Sequence, residues 1–537
     1  MVNTYDAIII GGGHNGLVTA AYLARAGKKV LVLERRHLVG GAAVSEEIRE
    51  APGFKFTVFS YVVSLLRPEL IRDLQLPKHG LEILPLPSTL TPLPNGDYIA
   101  FWDDHDETRR EIYRHSPKDA DAYDDFGHLM HHMAMAVKPI LSMIPPDPTS
   151  LSPGDLAGLA KLGGHMRGLG EEKFTALFKL MTMSAADYLD EWFETDALKG
   201  TKSASGIIGT FMGPRSPGTA YVLLHHYMGE IDGAFRAWGF AKGGTGGISE
   251  AIASAARSFG AEIRLNAGVS QVIVKNGQAV GVALENGDEV YAKVIASSLD
   301  PKRTFLKMVE PKELPADFID GIRKYKIQGS SGKVNLALDR LPDFTCMPGV
   351  RRHLSTALRA GYYGAISISP SVDYIERAYD DAKYGRFSRR PYIDMIIPSM
   401  IDPNMAPPGK HVMSCFVQYA PSSIEGGWDD AKREAFGDAV IDTIAEYAPN
   451  IKDIILHRQV LTPWDIEQMT GLTEGNIFQG ELLLHQLFFL RPTQSWAKYR
   501  SPIRNFYQCG SGTHPGGGIM GANGRLAALE MLKDGRL

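Results

Sequence analysis

Three glycines and one acid carry the first chemical signal. Gly11-Gly12-Gly13-His14-Asn15-Gly16 follows the apolar run Ala7–Ile10, and Glu34 ends the next apolar run, Val30–Leu33. Each glycine has its own task in such a pattern. Gly11 permits a tight turn, Gly13 lets backbone approach a pyrophosphate closely, and Gly16 lets a helix pack on the preceding strand. The N-terminus of the helix that follows, with His14 and Asn15 beside it, offers free N–H groups and a partial positive charge to phosphate. Glu34 is placed to accept both hydroxyls of an adenosine ribose. Arg35 and Arg36 follow it; contact with pyrophosphate or solvent is preferred to contact with a 2′-phosphate.

Two further glycine clusters bear on which dinucleotide is held. Gly40-Gly41-Ala42 follows Glu34 closely, where backbone N–H groups can meet a cofactor again. Gly510-Ser511-Gly512-Thr513-His514-Pro515-Gly516-Gly517-Gly518-Ile519-Met520-Gly521 opens a helix near the end of the chain. That N-terminus can stabilise negative charge on a reduced isoalloxazine, a charge that a nicotinamide does not develop. Gly510, Ser511 and Gly518 therefore join the cofactor set, and the cofactor reading is FAD. Gly243–Gly247 lacks the spacing of a second G-x-G-x-x-G, so a built-in NAD(P)H site is not expected.

The candidate proton carriers are His225 and His226, in Leu223-Leu224-His225-His226-Tyr227-Met228. Read as a strand, this segment sends adjacent side chains to opposite faces, so at most one histidine reaches a pocket. Histidine near neutrality can accept or donate a proton, while structural hydrogen bonding is the competing role. Tyr227, Trp238 and His514 are the candidate substrate contacts. Glu230 and Asp232 could hold an amine or pair with Arg236. His131 and His132 fall on a Met-rich helix and do not share a face, so no metal site is expected.

These residues need elements to place them. Tyr5–Ile10 reads as a buried parallel strand, Leu17–Ala26 as a helix stopped by Gly27, and Lys29–Leu33 as the next strand. Val269–Lys275, Gln278–Leu284 and Glu289–Ala296 read as a meander, with Asn276-Gly277 and Asn286-Gly287 as its turns. Apolar positions three or four apart in Gly521–Lys533 predict a final helix. The expected fold class is α/β: a Rossmann-like FAD-binding domain, discontinuous in sequence, with an inserted α+β substrate domain. Residues 1–66, 236–304 and 491–537 would form the first domain, and 67–235 and 305–490 the second.

Composition is an ordinary globular balance, enough for a large core: 537 residues, 44% hydrophobic and 22% charged. A formal charge of −4 and no basic stripe give no reason to expect nucleic acid. Cys346, Cys415 and Cys509 lie too far apart for a zinc site or a redox pair. The first strand begins by about Tyr5, so no leader is expected ahead of it, and no apolar run nears the roughly 18 residues of a membrane span. A cytoplasmic protein is expected, with peripheral membrane contact and homo-oligomerisation left open.

Taken together, the segments resemble the phytoene desaturase-like branch of the FAD-dependent amine oxidase superfamily, and within it the pyridine nucleotide-disulfide oxidoreductase domain-containing group. The resemblance rests on Gly11–Gly16, Ser60–Pro68, Tyr221–Gly229, Ala237–Gly239, Asn476–Phe478 and, most specifically, Gly510–Gly521. It implies non-covalent FAD, with Gly40, Gly41 and Ala42 facing the cofactor. It implies that Val269 contacts adenine and that Ile519 and Met520 meet the flavin pyrimidine edge through backbone. The expected reaction is hydride transfer from a C–H bond of an apolar, polyene- or lipid-like substrate to flavin N5, with O2 or a quinone as acceptor. The alternatives are an FAD-dependent amine or alcohol oxidase and a non-catalytic flavin-bound scaffold. The group's name promises a redox disulfide that this chain's cysteines do not supply.

Overall fold

The computed structural model describes residues 5–231, 233–235, 237–347 and 362–537. Two seven-stranded sheets organise them. In the first, the apolar strand Tyr5–Ile10 lies between Val30–Leu33 and Glu289–Ser297, parallel to both. Glu262–Arg264 extends the sheet beyond Val30–Leu33, and Phe506–Gln508 joins Glu289–Ser297 from the far end of the chain. Strands buried on both faces read as continuous apolar runs, as these do. The antiparallel strands Val269–Lys275 and Gln278–Leu284 complete the meander. Asn276 and Gly277 both take positive φ, +53° and +69°, as the tight hairpin turn requires.

Helices His14–Arg25, Gly246–Ser258 and Ala522–Lys533 cover this sheet. Their facing positions are small: Ala20, Ala21, Ala24, Ala255, Ala527 and Ala528 are all buried. Small side chains let the first of these helices close on the other two. At the junction of the first and last, a Cβ on Gly524 would lie 2.2 Å from the Asn15 carbonyl oxygen.

The second sheet runs in the order Ile455–Leu461, Ser331–Leu338, His411–Gln418, Tyr392–Ile396, Ala365–Ile368, Ser88–Pro92, Tyr98–Trp102. Its register aligns Lys333, Phe416, Asp394 and Ser367 in one row on one face. Thr89, paired with Ala365 and Phe101, lies on that same face. Helices from His105 to Tyr227 pack beside it.

The segment carrying His225 and His226 is a helix, Thr219–Tyr227, and not a strand. It is apolar all round and buried throughout, and an apolar run this short does not distinguish the two by periodicity. Its leucines favour the helix, and the helical neighbours give it a layer to fill. All three cysteines are buried and unbonded. Among the described residues, no helix is long and apolar enough to cross a membrane. Asp232 and Arg236 lie outside the described residues; Glu230 pairs with Lys138.

Candidate functional site

The glycine turn is built as a cradle. Gly11 has φ +90°, open to glycine and strained for other residues. The Cβ side of Gly13 faces open space, with no atom within 4 Å. Gly16 is closed instead: a Cβ there would sit 2.3 Å from the Gly11 carbonyl oxygen. The helix begins with Gly13 as N-cap, no capping side chain and no acid in its first turn. The C-terminal helix also starts uncapped and without an acid, at Gly521. Two uncapped N-termini thus abut, and both aim positive partial charge at one region.

Glu34 is buried and ties the turn to the second strand. Its two carboxylate oxygens accept from Gly12 N–H (2.7 Å) and Arg36 N–H (2.9 Å), leaving lone pairs on both. The Glu34 carbonyl accepts from Ala267 N–H, two residues before Val269. Gly40 N–H donates to the Gly12 carbonyl, and Gly41 lies against Gly13. The Ala42 carbonyl accepts from the Ser60 hydroxyl at 3.0 Å. Asn15 Nδ2 donates to Ser511 Oγ at 3.0 Å, joining the first cradle segment to the last.

Arg35 turns away: its guanidinium donates to the Gln468 carbonyl at 2.8 Å. Its neighbour Arg36 points inward, bonded to Glu46 and lying over Phe59. The sequence offered no means of telling the two apart, because their side-chain directions depend on segments far along the chain.

The terminal loop is held by a buried cation. Arg491 is fully buried and donates to the carbonyls of Ser511, Thr513, Phe478, Gly480 and Glu481 at 2.8–3.2 Å. Gly510 and Gly518 are tightly enclosed, the first by Ser298 and the second by Leu65. Ile519 takes a positive φ of +55°, and the Met520 carbonyl accepts from Arg67 N–H.

The histidines divide. His225 Nε2 lies 3.2 Å from the Gly517 carbonyl, so it braces the terminal loop. His226 borders the cavity, bonds the Val222 carbonyl at 3.0 Å and stacks on Trp238. Burial pushes His225 down to about 3 and His226 to about 4. Both are therefore held neutral at neutral pH. His514 is not at the cavity. Its Nε2 bonds the Ile140 carbonyl and its ring packs on Phe488, a bracing role.

A cavity of about 500 Å³ lies against the second sheet. Tyr227 and Trp238 line it with His226. Its polar centre is a pair that sequence reading missed: Tyr61 donates to Asp394 at 2.5 Å. Burial raises the Asp394 carboxyl to about 6, against the opposing pull of the Tyr61 hydroxyl. In the same row, Lys333 donates to the Thr57 carbonyl, to Asn335 and to Ser414. Loss of hydration pushes Lys333 down to about 7. The available clue was a local conflict, a lysine and an aspartate inside strands that are otherwise uncharged.

Comparison with known proteins decides the family. Residues 184–532 match the model for flavin containing amine oxidoreductases, and residues 9–73 match the NAD(P)-binding Rossmann-like domain. The chain belongs to the flavin containing amine oxidoreductase family. It is 40% identical to pyridine nucleotide-disulfide oxidoreductase domain-containing protein 2 of Rattus norvegicus, over 99% of this chain and 94% of that one. It is 26% identical to a limonene dehydrogenase chain of Castellaniella defragrans, over 99% and 95%. Among solved structures, cyclohexylamine oxidase from Brevibacterium oxydans shares the fold, with TM-score 0.58 and 18% identity over 99% and 100% of the two chains.

As a member of this family the protein is a flavin-dependent oxidoreductase, which sets aside the scaffold alternative. The cradle fits such a group. Several buried polar atoms around it have no protein partner: His14 Nε2, Asn15 Oδ1, Asn523 Oδ1 and Arg36 Nη1. Unpaired buried polar atoms are rare and ask for a ligand. With the open side of Gly13 and the two uncapped helices, they match a polar, anionic dinucleotide.

Proposed function

We propose that this oxidoreductase is an FAD-dependent dehydrogenase, or desaturase, that introduces a double bond into an apolar substrate. FAD is held without a covalent bond, with Glu34 on its ribose and Gly11–Gly16 on its pyrophosphate. When bound, FAD would supply a two-electron acceptor for the hydride of one substrate C–H bond. The observation that carries the reading is the Tyr61–Asp394 pair in the cavity. Asp394 is mostly ionised above about pH 6 and accepts the proton from the adjacent carbon, whose C–H electron pair becomes the new π bond. The Tyr61 hydroxyl keeps its hydrogen bond throughout and holds the carboxyl in place. His226 and Trp238 form an aromatic wall that orients the chain and excludes water. The likeness to the limonene dehydrogenase chain, named for action on a hydrocarbon, supports an apolar substrate.

A second reading has one observation in its favour. An ionised Asp394 in the cavity also suits an ammonium ion, which would make the chain an amine oxidase. Anaerobic bleaching of the bound flavin by a panel of polyenes, lipids, alcohols and amines separates the two. Bleaching by polyenes or lipids, lost in Asp394→Asn, is expected. Bleaching by amines alone overturns the dehydrogenase reading. Peroxide production on turnover identifies O2 as the acceptor, and dependence on an added quinone identifies a quinone.

A further inference from the structure

Among the described residues, one ammonium at the cavity forms no ion pair. Lys202, on the helix Asp196–Ala204, is 9% exposed and lines the cavity wall. Its ammonium lies 4.0 Å from the ring centre of Phe101 and 5.2 Å from that of Tyr123. The Tyr123 hydroxyl is 3.4 Å away, a long contact. Among the described residues, no carboxylate pairs with it. Neighbouring lysines behave differently: Lys199, on the same helix, pairs with Asp190 and Asp196. A buried ammonium held only by two ring faces and one long hydroxyl contact keeps its capacity to pair with an anion. A native chain that keeps such a group has a use for it.

The setting shows what use. Asp103 and His105 line the same cavity and are exposed, which marks the solvent side near Lys202. Phe101, beneath the ammonium, is on the edge strand Tyr98–Trp102. Asp394 is three strands inward on the same face. At one strand spacing per step, the two strands lie about 14 Å apart. The cavity therefore joins a cation near its mouth to an acid–phenol pair further in, with aromatic side chains between.

We propose that Lys202 anchors a carboxylate on the substrate, so that the substrate is an apolar chain ending in a single negative charge. One ammonium neutralises one carboxylate. A phosphate carries up to two charges and draws clusters of donors or an arginine fork. Lys202 is a binding residue here: it sets which molecules enter and how far along the chain the reacting carbon lies. The inference rests on the dehydrogenase reading for its reaction, but the anion site itself does not.

The test uses the FAD-loaded enzyme and a homologous set of fatty carboxylates from octanoate to hexadecanoate. Binding is read by calorimetry and by perturbation of the flavin spectrum. Matching methyl esters and dodecyl phosphate are run beside them. Wild type is expected to bind a medium-length carboxylate at least tenfold more tightly than its ester. Lys202→Met, which fills the same space against Phe101, should lose that preference and bind acid and ester alike. Lys202→Arg should retain part of it. Equal flavin content and melting temperature confirm that the Met variant is folded. Three results overturn the proposal: no carboxylate binding by wild type, unchanged carboxylate binding in Lys202→Met, or tighter binding of dodecyl phosphate than of dodecanoate. Carboxylate binding through Lys202 without flavin reduction by any bound acid would refute the dehydrogenase reading and leave the anion site standing.

Discussion

Asp394→Asn tests the site through both stability and catalysis. The carboxyl is enclosed by the sheet and by Tyr61, with intermediate exposure onto the cavity it lines. Its pKa rises from 3.8 to about 6, chiefly because burial strips its hydration. A raised folded pKa means that the native state holds the proton more tightly than the unfolded chain does. The resulting stabilisation is fully present below about pH 4 and is lost as pH rises through about 6. About two pKa units at about 1.4 kcal/mol each give about 3 kcal/mol, or about 2–3 kcal/mol after allowing for hydration at the cavity edge. Asparagine keeps an acceptor for Tyr61 and cannot ionise. The variant should therefore gain about 2–3 kcal/mol on wild type between pH 4 and pH 8, with the change complete by about pH 7. Melting temperatures and denaturant midpoints, measured side by side with saturating FAD, give the difference, and every other ionisable group cancels from it. In catalysis, wild-type flavin reduction should rise through an apparent pKa near 6. The variant should lose that limb and slow by at least about 100-fold. A stability difference that stays constant from pH 4 to pH 8 would refute the buried-acid argument. A wild-type reduction rate in the variant would remove Asp394 from proton transfer.

Three further outcomes follow from the same geometry. Arg491→Met leaves the carbonyls of Ser511, Phe478 and Gly480 without their donor; a stability loss of about 3–5 kcal/mol and release of FAD are expected, read from melting curves and the flavin absorbance of purified protein. Gly16→Ala would place a Cβ 2.3 Å from the backbone oxygen of Gly11, so the variant should purify nearly free of flavin, whereas Gly13→Ala, with open space beside it, should fold normally and lose only cofactor affinity. His14, His225, His226 and His514 are held neutral by burial, at about 4, 3, 4 and 3. Their lowered folded pKa values give stability that is present above about pH 6.5 and lost as pH falls, so melting temperature should drop steeply below pH 6.5, and His226→Gln should flatten part of that drop.

Much of the cradle was legible in the chain because its causes are local. Only glycine tolerates φ +90° at position 11, and only glycine lets the first helix close on the turn at position 16. Buried parallel strands announce themselves as apolar runs, and Asn-Gly marks its own turn. These are short-range constraints, so Gly11–Gly16, Glu34 and the meander through Ser297 could be read without a partner in view. Nothing local separates Arg35 from Arg36, or strand from helix in Leu223–Met228.

The working groups of the cavity depend on distance in space. Tyr61 and Asp394 are 333 positions apart, and Lys333 reaches Thr57 across 276. Their chemistry comes from burial and from one another, and neither exists in a stretch of residues taken alone. A lysine in a strand could be an edge charge or a buried amine, and only the sheet register and the packing above it decide. The sequence by itself determined the glycine turn and the strand–helix–strand unit around it, because backbone conformation there is dictated residue by residue. The tertiary structure decided that Asp394 is buried against Tyr61 and that, among the described residues, no carboxylate pairs with Lys202, because desolvation is a property of the assembled fold.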